Sequence, residues 1–328
     1  MAVLALVAAL ICAGAVITRI GTRLIEHTHP PRGRFVDVGG SRQHVVELGC
    51  GADAGSVTAV VLIHGAGCNL EDMYLALGER LAARYRVILV DRPGLGWSER
   101  GAGEAASPAE QAAVLRGLLD RLGVNRAIVV GHSWGGTLAL TFALDHPQRV
   151  SGLVLIAPPT HPRLPPTVKL NAVFATPAGW LLAHTLAFPF GALLIGAGFR
   201  GAFLPEAPPH GYLRRAAARL LLRPHTLRAN AADVAGLEVF LAQQIGRYPT
   251  LATPTIIITG DRDMVVAPQH HAMKLAAAAP GARLRVLPGC GHLLHHGAAD
   301  RVIAAVAELA RETGGHGAPT DETMESGG

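Results

Sequence analysis

The chain has 328 residues, enough for one large α/β domain carrying an insertion. Half of it is hydrophobic but only 5% is aromatic, so Ala, Val, Leu and Ile must build the core; charged residues, at 16%, are too few for a disordered chain. The net charge of +5, with no basic run interleaved with aromatics, argues against nucleic acid as a partner.

In chain order, residues 1–18 (MAVLALVAALICAGAVIT) carry no charged side chain and sit at the lower edge of what spans a bilayer. They are expected to be an uncleaved membrane anchor, with residues 19–34 as a linker. Arg19, Arg23, Arg32 and Arg34 on the C-terminal flank favour a cytoplasmic catalytic domain. The alternative is a signal peptide cut near Ala13-Gly14-Ala15, which would give a secreted or periplasmic chain. Against it, no basic n-region precedes the apolar run, which continues past that point.

Phe35 to Leu48 reads as a hairpin around Gly39-Gly40. Val57 to Ile63 and Arg86 to Val90 read as buried strands, with helical spacing from Leu70 to Arg84 between them. Ser107, Pro108 and Glu110 form a capping box that starts a helix, which Gly123 stops after Leu122. A strand at Ala127 to Val130, a helix at Gly135 to Leu144 and a strand at Gly152 to Ile156 follow. After a long insertion come strand Thr255 to Thr259, helix Gln269 to Ala278, strand Arg283 to Leu287 and helix Ala298 to Arg311. The alternation predicts a mostly parallel α/β sheet covered on both faces, with ligands at the carboxyl ends of its strands.

Within the insertion, Leu170 to Phe199 contains no Asp, Glu, Lys or Arg. His184, Pro189 and several glycines interrupt it, so it reads as a pair of short apolar helices buried against the protein rather than a membrane span. The Gly-rich tail, residues 313–328, is expected to be disordered.

Cys12, Cys50, Cys68 and Cys290 form no CxxC and read as reduced thiols. The pairs His27/His29, His270/His271 and His295/His296 invite a metal reading. Adjacent histidines on a helix or strand point different ways, however, and no carboxylate or cysteine pattern accompanies them. Neither a metal nor a cofactor is expected.

The chemistry concentrates at strand ends. Gly131-His132-Ser133-Trp134-Gly135 is a G-x-S-x-G turn between a strand and a helix, where the small neighbours let a strained serine project above the sheet. A serine needs a base held by an acid. Thr259-Gly260-Asp261-Arg262-Asp263 ends one later strand, and Pro288-Gly289-Cys290-Gly291-His292 ends the next. The chain order Ser, Asp, His is the order this elbow uses. Charge developing on a carbonyl oxygen needs N–H donors. The small-residue loop His64-Gly65-Ala66-Gly67 suits one, and Trp134, opening a helix, suits the other.

With HGAG, DRPGLGWS, GHSWGG, GDRD and GCGH in order, residues 35–312 resemble the α/β-hydrolase fold. The resemblance is to the branch of carboxylesterases, C–C bond hydrolases and cofactor-free haloperoxidases. It implies a hydrolase core over residues 35–158 and 250–312, with a helical cap over 159–249. It implies Ser133 as nucleophile, His292 as base, Asp263 rather than Asp261 as acid, and Ala66 and Trp134 as oxyanion-hole donors. The related dehalogenases and epoxide hydrolases use an aspartate as nucleophile, so the serine argues against both reactions. Residues 160–250 hold nine basic and three acidic side chains. An apolar lid with a basic half suits lipophilic esters or anionic lipid as partners, although a solvated helix face would read the same way. The expected activity is therefore that of a membrane-tethered serine esterase acting on a lipophilic small-molecule ester. The alternatives are a C–C hydrolase, a thioesterase or a non-catalytic binder of a hydrophobic ligand.

Overall fold

A computed structural model describes residues 1–49, 58–101, 106–165 and 171–314. Cys50, Val57 and the expected disorder of the tail from residue 315 onward fall outside the described residues.

The first helix, α1 (Ala2–Thr28), runs ten residues past the uncharged segment, so most of the expected linker is helical. The reason is tertiary. Gly14, Thr18, Gly21 and Ile25 lie on one face and are buried, while Arg19 and Arg23 point outward. Pro30 and Pro31 follow and cannot continue the helix.

β1 (Arg34–Val38) and β2 (Ser41–Leu48) form the antiparallel hairpin, with positive φ at both Gly39 and Gly40 as a two-residue primed turn requires. β3 (Ala59–Ile63) is followed by α2 (Leu70–Met73), a π-helical turn (Tyr74–Gly78) and α3 (Glu79–Ala82), one helical run with a local widening. Then come β4 (Arg86–Val90), α4 (Pro108–Arg121), β5 (Ala127–His132), α5 (Trp134–Asp145) and β6 (Val150–Ile156). The capping box at α4 forms: the Glu110 N–H donates to Ser107 Oγ, and the Ser107 N–H donates to the Glu110 carboxylate at 2.9 Å.

Between β6 and the next strand lies the helical cap: α6 (Pro177–Thr185), α7 (Ala187–Phe203), α8 (Tyr212–Arg215) and α9 (Pro224–Gln244). The chain then completes the core with β7 (Thr255–Gly260), α10 (Ala272–Ala278), β8 (Arg283–Leu287), α11 (Leu294–Gly297) and α12 (Ala299–Glu312). Among the described residues, eight strands form one sheet in the order β1-β2-β4-β3-β5-β6-β7-β8, parallel from β4 onward. Alternate residues of β3 and β5 feed opposite cores, Val61 and Val129 on one face and Val60, Leu62 and Val130 on the other. This is the α/β-hydrolase architecture with its cap.

The uncharged cap segment does form short helices, α6 and α7, which meet at a 79° bend. They do not bury their apolar residues as expected. Trp180, Leu181, Leu186, Phe190, Leu193 and Leu194 are all exposed. The helices use their small residues for packing instead. A Cβ on Gly191 would sit 2.6 Å from Leu222 Cδ2, and one on Gly179 would sit 2.1 Å from the Val173 carbonyl oxygen.

Candidate active site

β5 ends and α5 begins around Ser133, which has φ 51° and ψ −125°. A non-glycine residue at positive φ costs on the order of 1–3 kcal/mol, so the surroundings must hold it there. The Ser133 N–H donates to the Ile156 carbonyl at 2.8 Å, and its own carbonyl accepts from the N–H groups of Gly136 and Thr137. The flanking glycines are obligatory: a Cβ on Gly131 would stand 2.2 Å from the Gly135 oxygen, and one on Gly135 would stand 2.4 Å from the His64 oxygen.

The structure brings Ser133, His292 and Asp263 together. His292 Nε2 lies 3.0 Å from Ser133 Oγ, and His292 Nδ1 lies 2.8 Å from Asp263 Oδ2. All three are nearly buried. The second carboxylate oxygen of Asp263 accepts the N–H groups of Val265 and Val266, each at 2.8 Å. With both oxygens engaged, the carboxylate cannot rotate away, and Nδ1 of His292 is held as the donor. Nε2 is thereby left as the acceptor of the hydrogen bond from the Ser133 hydroxyl. Asp261 faces outward and accepts the Gly289 N–H at 2.7 Å, which braces the loop carrying His292.

The loop after β3 lies against the serine, since a Cβ on Gly65 would meet Ser133 Cβ at 3.0 Å. Its Gly67 N–H donates to Asn230 Oδ1 of α9 at 2.7 Å. His64 donates through Nδ1 to the Gly65 carbonyl at 2.8 Å and accepts the Arg92 N–H at Nε2. Burial, with Arg92 close by, pushes His64 down to about 4, so both of those bonds persist at neutral pH. Trp134 is the first residue of α5, and its N–H has no intrahelical acceptor. Its indole is sandwiched: the Arg92 guanidinium lies 4.0 Å over the ring, and Nε1–H donates to the Asp233 carbonyl at 3.2 Å. The loop that carries Ala66 and the first turn of α5 at Trp134 are thus both braced next to Ser133.

Three groupings were not legible beforehand. First, Asp72 accepts from His295 Nε2 and His296 Nε2, both at 2.9 Å, and from the Tyr212 hydroxyl at 2.6 Å. The expectation that His295 and His296 point apart is thus overturned. They are the two middle residues of the one-turn helix α11, and both converge on one carboxylate. Burial alone would raise the Asp72 carboxyl, but the two imidazoles hold it well below the usual range. One carboxylate and two imidazoles are also a metal-ligand set. Here the three protein donors already occupy the carboxylate and clamp α2, α11 and the cap to one another. Second, His132 donates from Nε2 to the His292 carbonyl at 3.1 Å, tying the elbow to the histidine loop. Burial, then His295 and His292, keep it well below its ordinary value. Third, Asp233 on α9 pairs with Arg92 and Arg100, each at 2.7 Å. Arg92 and Arg100 lie in and just after the DRPGLGWS stretch, which was a signal; nothing marked Asp72 or Asp233.

A family model for the alpha/beta hydrolase fold matches residues 58–299, and the chain belongs to that family. It is 30% identical over 254 residues to a 2-hydroxy-6-oxo-6-phenylhexa-2,4-dienoate hydrolase of Burkholderia cepacia, covering 73% of this chain and 83% of that protein. It is 26% identical over 293 residues to haloalkane dehalogenase 2 of Mycobacterium tuberculosis, covering 85% of this chain and 95% of that protein. Among solved structures, a thermophilic esterase from Thermogutta terrifontis matches with a TM-score of 0.69 at 24% identity, over 86% of this chain and 99% of the other. That last likeness speaks to the fold.

Proposed function

We propose that the protein is a membrane-tethered serine hydrolase that cleaves carboxylic esters of apolar substrates through an acyl-enzyme on Ser133. The observation that carries this reading is the continuous hydrogen-bonded chain Ser133–His292–Asp263, at 3.0 and 2.8 Å, on a strained elbow. Ser133 Oγ attacks the ester carbonyl carbon while its proton passes to His292 Nε2, and Asp263 stabilises the resulting imidazolium. The N–H groups of Ala66 and Trp134 receive the oxyanion. The tetrahedral adduct expels the alcohol, which takes the proton from His292. Water, deprotonated by His292, then attacks the acyl-enzyme, releasing the acid and restoring the serine hydroxyl.

A serine at the elbow does not suit the halide displacement named for the dehalogenase relative. The hydrolase of Burkholderia cepacia supports a second reading, hydrolysis of a C–C bond beside a ketone, because the same nucleophile and base can serve it. α1 supports the tether, being apolar and exposed along most of its length, and Arg19 and Arg23 at its end favour a cytoplasmic catalytic domain.

A fluorophosphonate probe is expected to label Ser133, with labelling lost in Ser133→Ala. A panel of p-nitrophenyl esters and a vinylogous diketone then separates the two readings. Turnover of the diketone without turnover of any ester would replace the esterase reading with the C–C one. Labelling at a different serine would overturn both.

A further inference from the structure

We infer that α1 is a fixed post rather than a free tether, seating α6 and α7 of the cap in the bilayer so that an apolar cleft opens into hydrocarbon. The inference rests on the proposed tether and concerns where the substrate enters.

α1 packs along the cap with no space to spare. A Cβ on Gly14 would lie 2.5 Å from the Thr185 carbonyl oxygen, and one on Gly21 would overlap the Phe188 ring. Thr18 Oγ1 donates to that same Thr185 carbonyl at 3.4 Å. Ile25 joins Leu220 and Leu222 in one buried cluster, and Arg223 pairs with Glu26 at 3.4 Å. Small residues that let backbones approach closely are how helices associate in lipid.

This contact sets a depth. Arg19 and Arg23 are exposed and mark the headgroup level. Gly14 lies five residues deeper than Arg19, about 7 Å at the helical rise. Thr185, which touches Gly14, closes α6 at the bend into α7, so that bend shares its level. A burial of about 5–10 Å is what helices lying in a membrane interface adopt. α6 and α7 together carry a single ionised side chain, Arg200, near the far end of α7. Meanwhile Leu193 is 80% exposed and Leu194 64%.

The same helices frame a cleft of about 470 Å³, with Phe190 and Leu194 at its mouth and Phe199, Leu221, Leu222 and Leu227 among its walls. Leu221 also reaches the site: its Cδ2 stands 3.5 Å from where a Cβ on Gly67 would be, on the loop of Ala66. A chain dissolved in the leaflet would enter between Phe190 and Leu194 and meet, at the inner wall, the loop that supplies an oxyanion donor. The larger cavity, about 590 Å³, has Glu26, Glu99, Arg100, Arg223 and Arg228 among its lining residues and so offers an acyl chain a less uniformly apolar wall. The occupant of the exposed cap face is therefore bilayer hydrocarbon.

The test uses the full chain reconstituted in phosphatidylcholine vesicles, with flotation confirming insertion. Lipid brominated in its acyl chains is expected to quench part of the tryptophan emission, and that part should vanish in Trp180→Phe. Leu193→Asp with Leu181→Asp, both exposed and outside the cleft lining, should leave turnover of a water-soluble short ester unchanged. The same double variant should lower turnover of a long-chain ester dissolved in the vesicles at least tenfold. Vesicles that float with protein whose Trp180 is not quenched would overturn the inference while leaving the tether standing. Protein that does not float would overturn both, and short-ester turnover would still judge the hydrolase reading. An unquenched Trp180 together with a wild-type dimer that the double variant dissociates would assign the face to a second copy and overturn the inference.

Discussion

Asp261 and Asp263 stand two positions apart on one loop, yet their environments differ completely. Asp263 is buried, with His292 on one oxygen and two backbone N–H groups on the other, whereas Asp261 is exposed and braces Gly289. Asp263→Asn keeps the shape but turns a donor toward Nδ1, so the imidazole loses its orientation. The expected loss in kcat is roughly 10⁴-fold, read on a short ester, with Asp261→Asn losing far less. The reverse ranking would sink the assignment. Ser133 and His292 could be picked out in the sequence because their signals are local: G-x-S-x-G marks its own serine, and a glycine-rich strand end marks its own histidine. The choice of Asp263 over Asp261 rests on the family resemblance. Asp72 was not legible, because its partners His295 and His296 come from 223 and 224 residues away, and no spacing rule connects them.

Among the elements, α9 locks cap to core through a buried ion pair. Its Asp233 carries two arginine partners inside a site sealed from water, and burial pushes its carboxyl up while pushing the Arg92 guanidinium down. Asp233→Ala would leave Arg92 buried without its counter-charge, which typically costs about 3–5 kcal/mol. A matching drop in the chemical-denaturation midpoint is expected, together with loss of the Arg92 stack that fixes Trp134. An unchanged midpoint would mean that water reaches Arg92. The strands and capped helices of the core were legible because periodicity and caps are written within ten or fifteen residues. The docking of α1 was not, because the face Gly14–Thr18–Gly21 becomes meaningful only beside a cap helix that begins at Pro177.

Across the whole molecule, several histidines are buried without charge. Burial pushes His64 and His271 down to about 4 and lowers His132 and His295 as well. For each, the folded value lies below the unfolded one of about 6.5, so the unfolded chain binds the proton first. Their contribution to stability is complete above about pH 6.5 and is lost as pH falls toward 4. His64 alone accounts for about 3 kcal/mol of that loss. Denaturation midpoints in detergent should therefore fall from pH 7 to pH 5, well before the carboxylates titrate. A midpoint that stays level or rises on acidification would contradict this.

The distance in sequence between Thr18 and its acceptor Thr185, 167 residues, also has a consequence in time. α1 leaves the ribosome before the cap, and at ordinary synthesis rates its partner follows on the order of ten to thirty seconds later. On the proposed tether reading, α1 takes its orientation alone in that interval, with its glycine face open to lipid. Its topology would then be settled by the flanking arginines before any of the cap exists. Cap assembly, by contrast, would have to find a helix already embedded in the bilayer. The order of events separates two faults that would look alike in the finished enzyme. On that reading, changes at Arg19 or Arg23 would act on insertion, whereas changes at Gly14 or Gly21 would spare insertion and act on the late docking of a correctly placed helix.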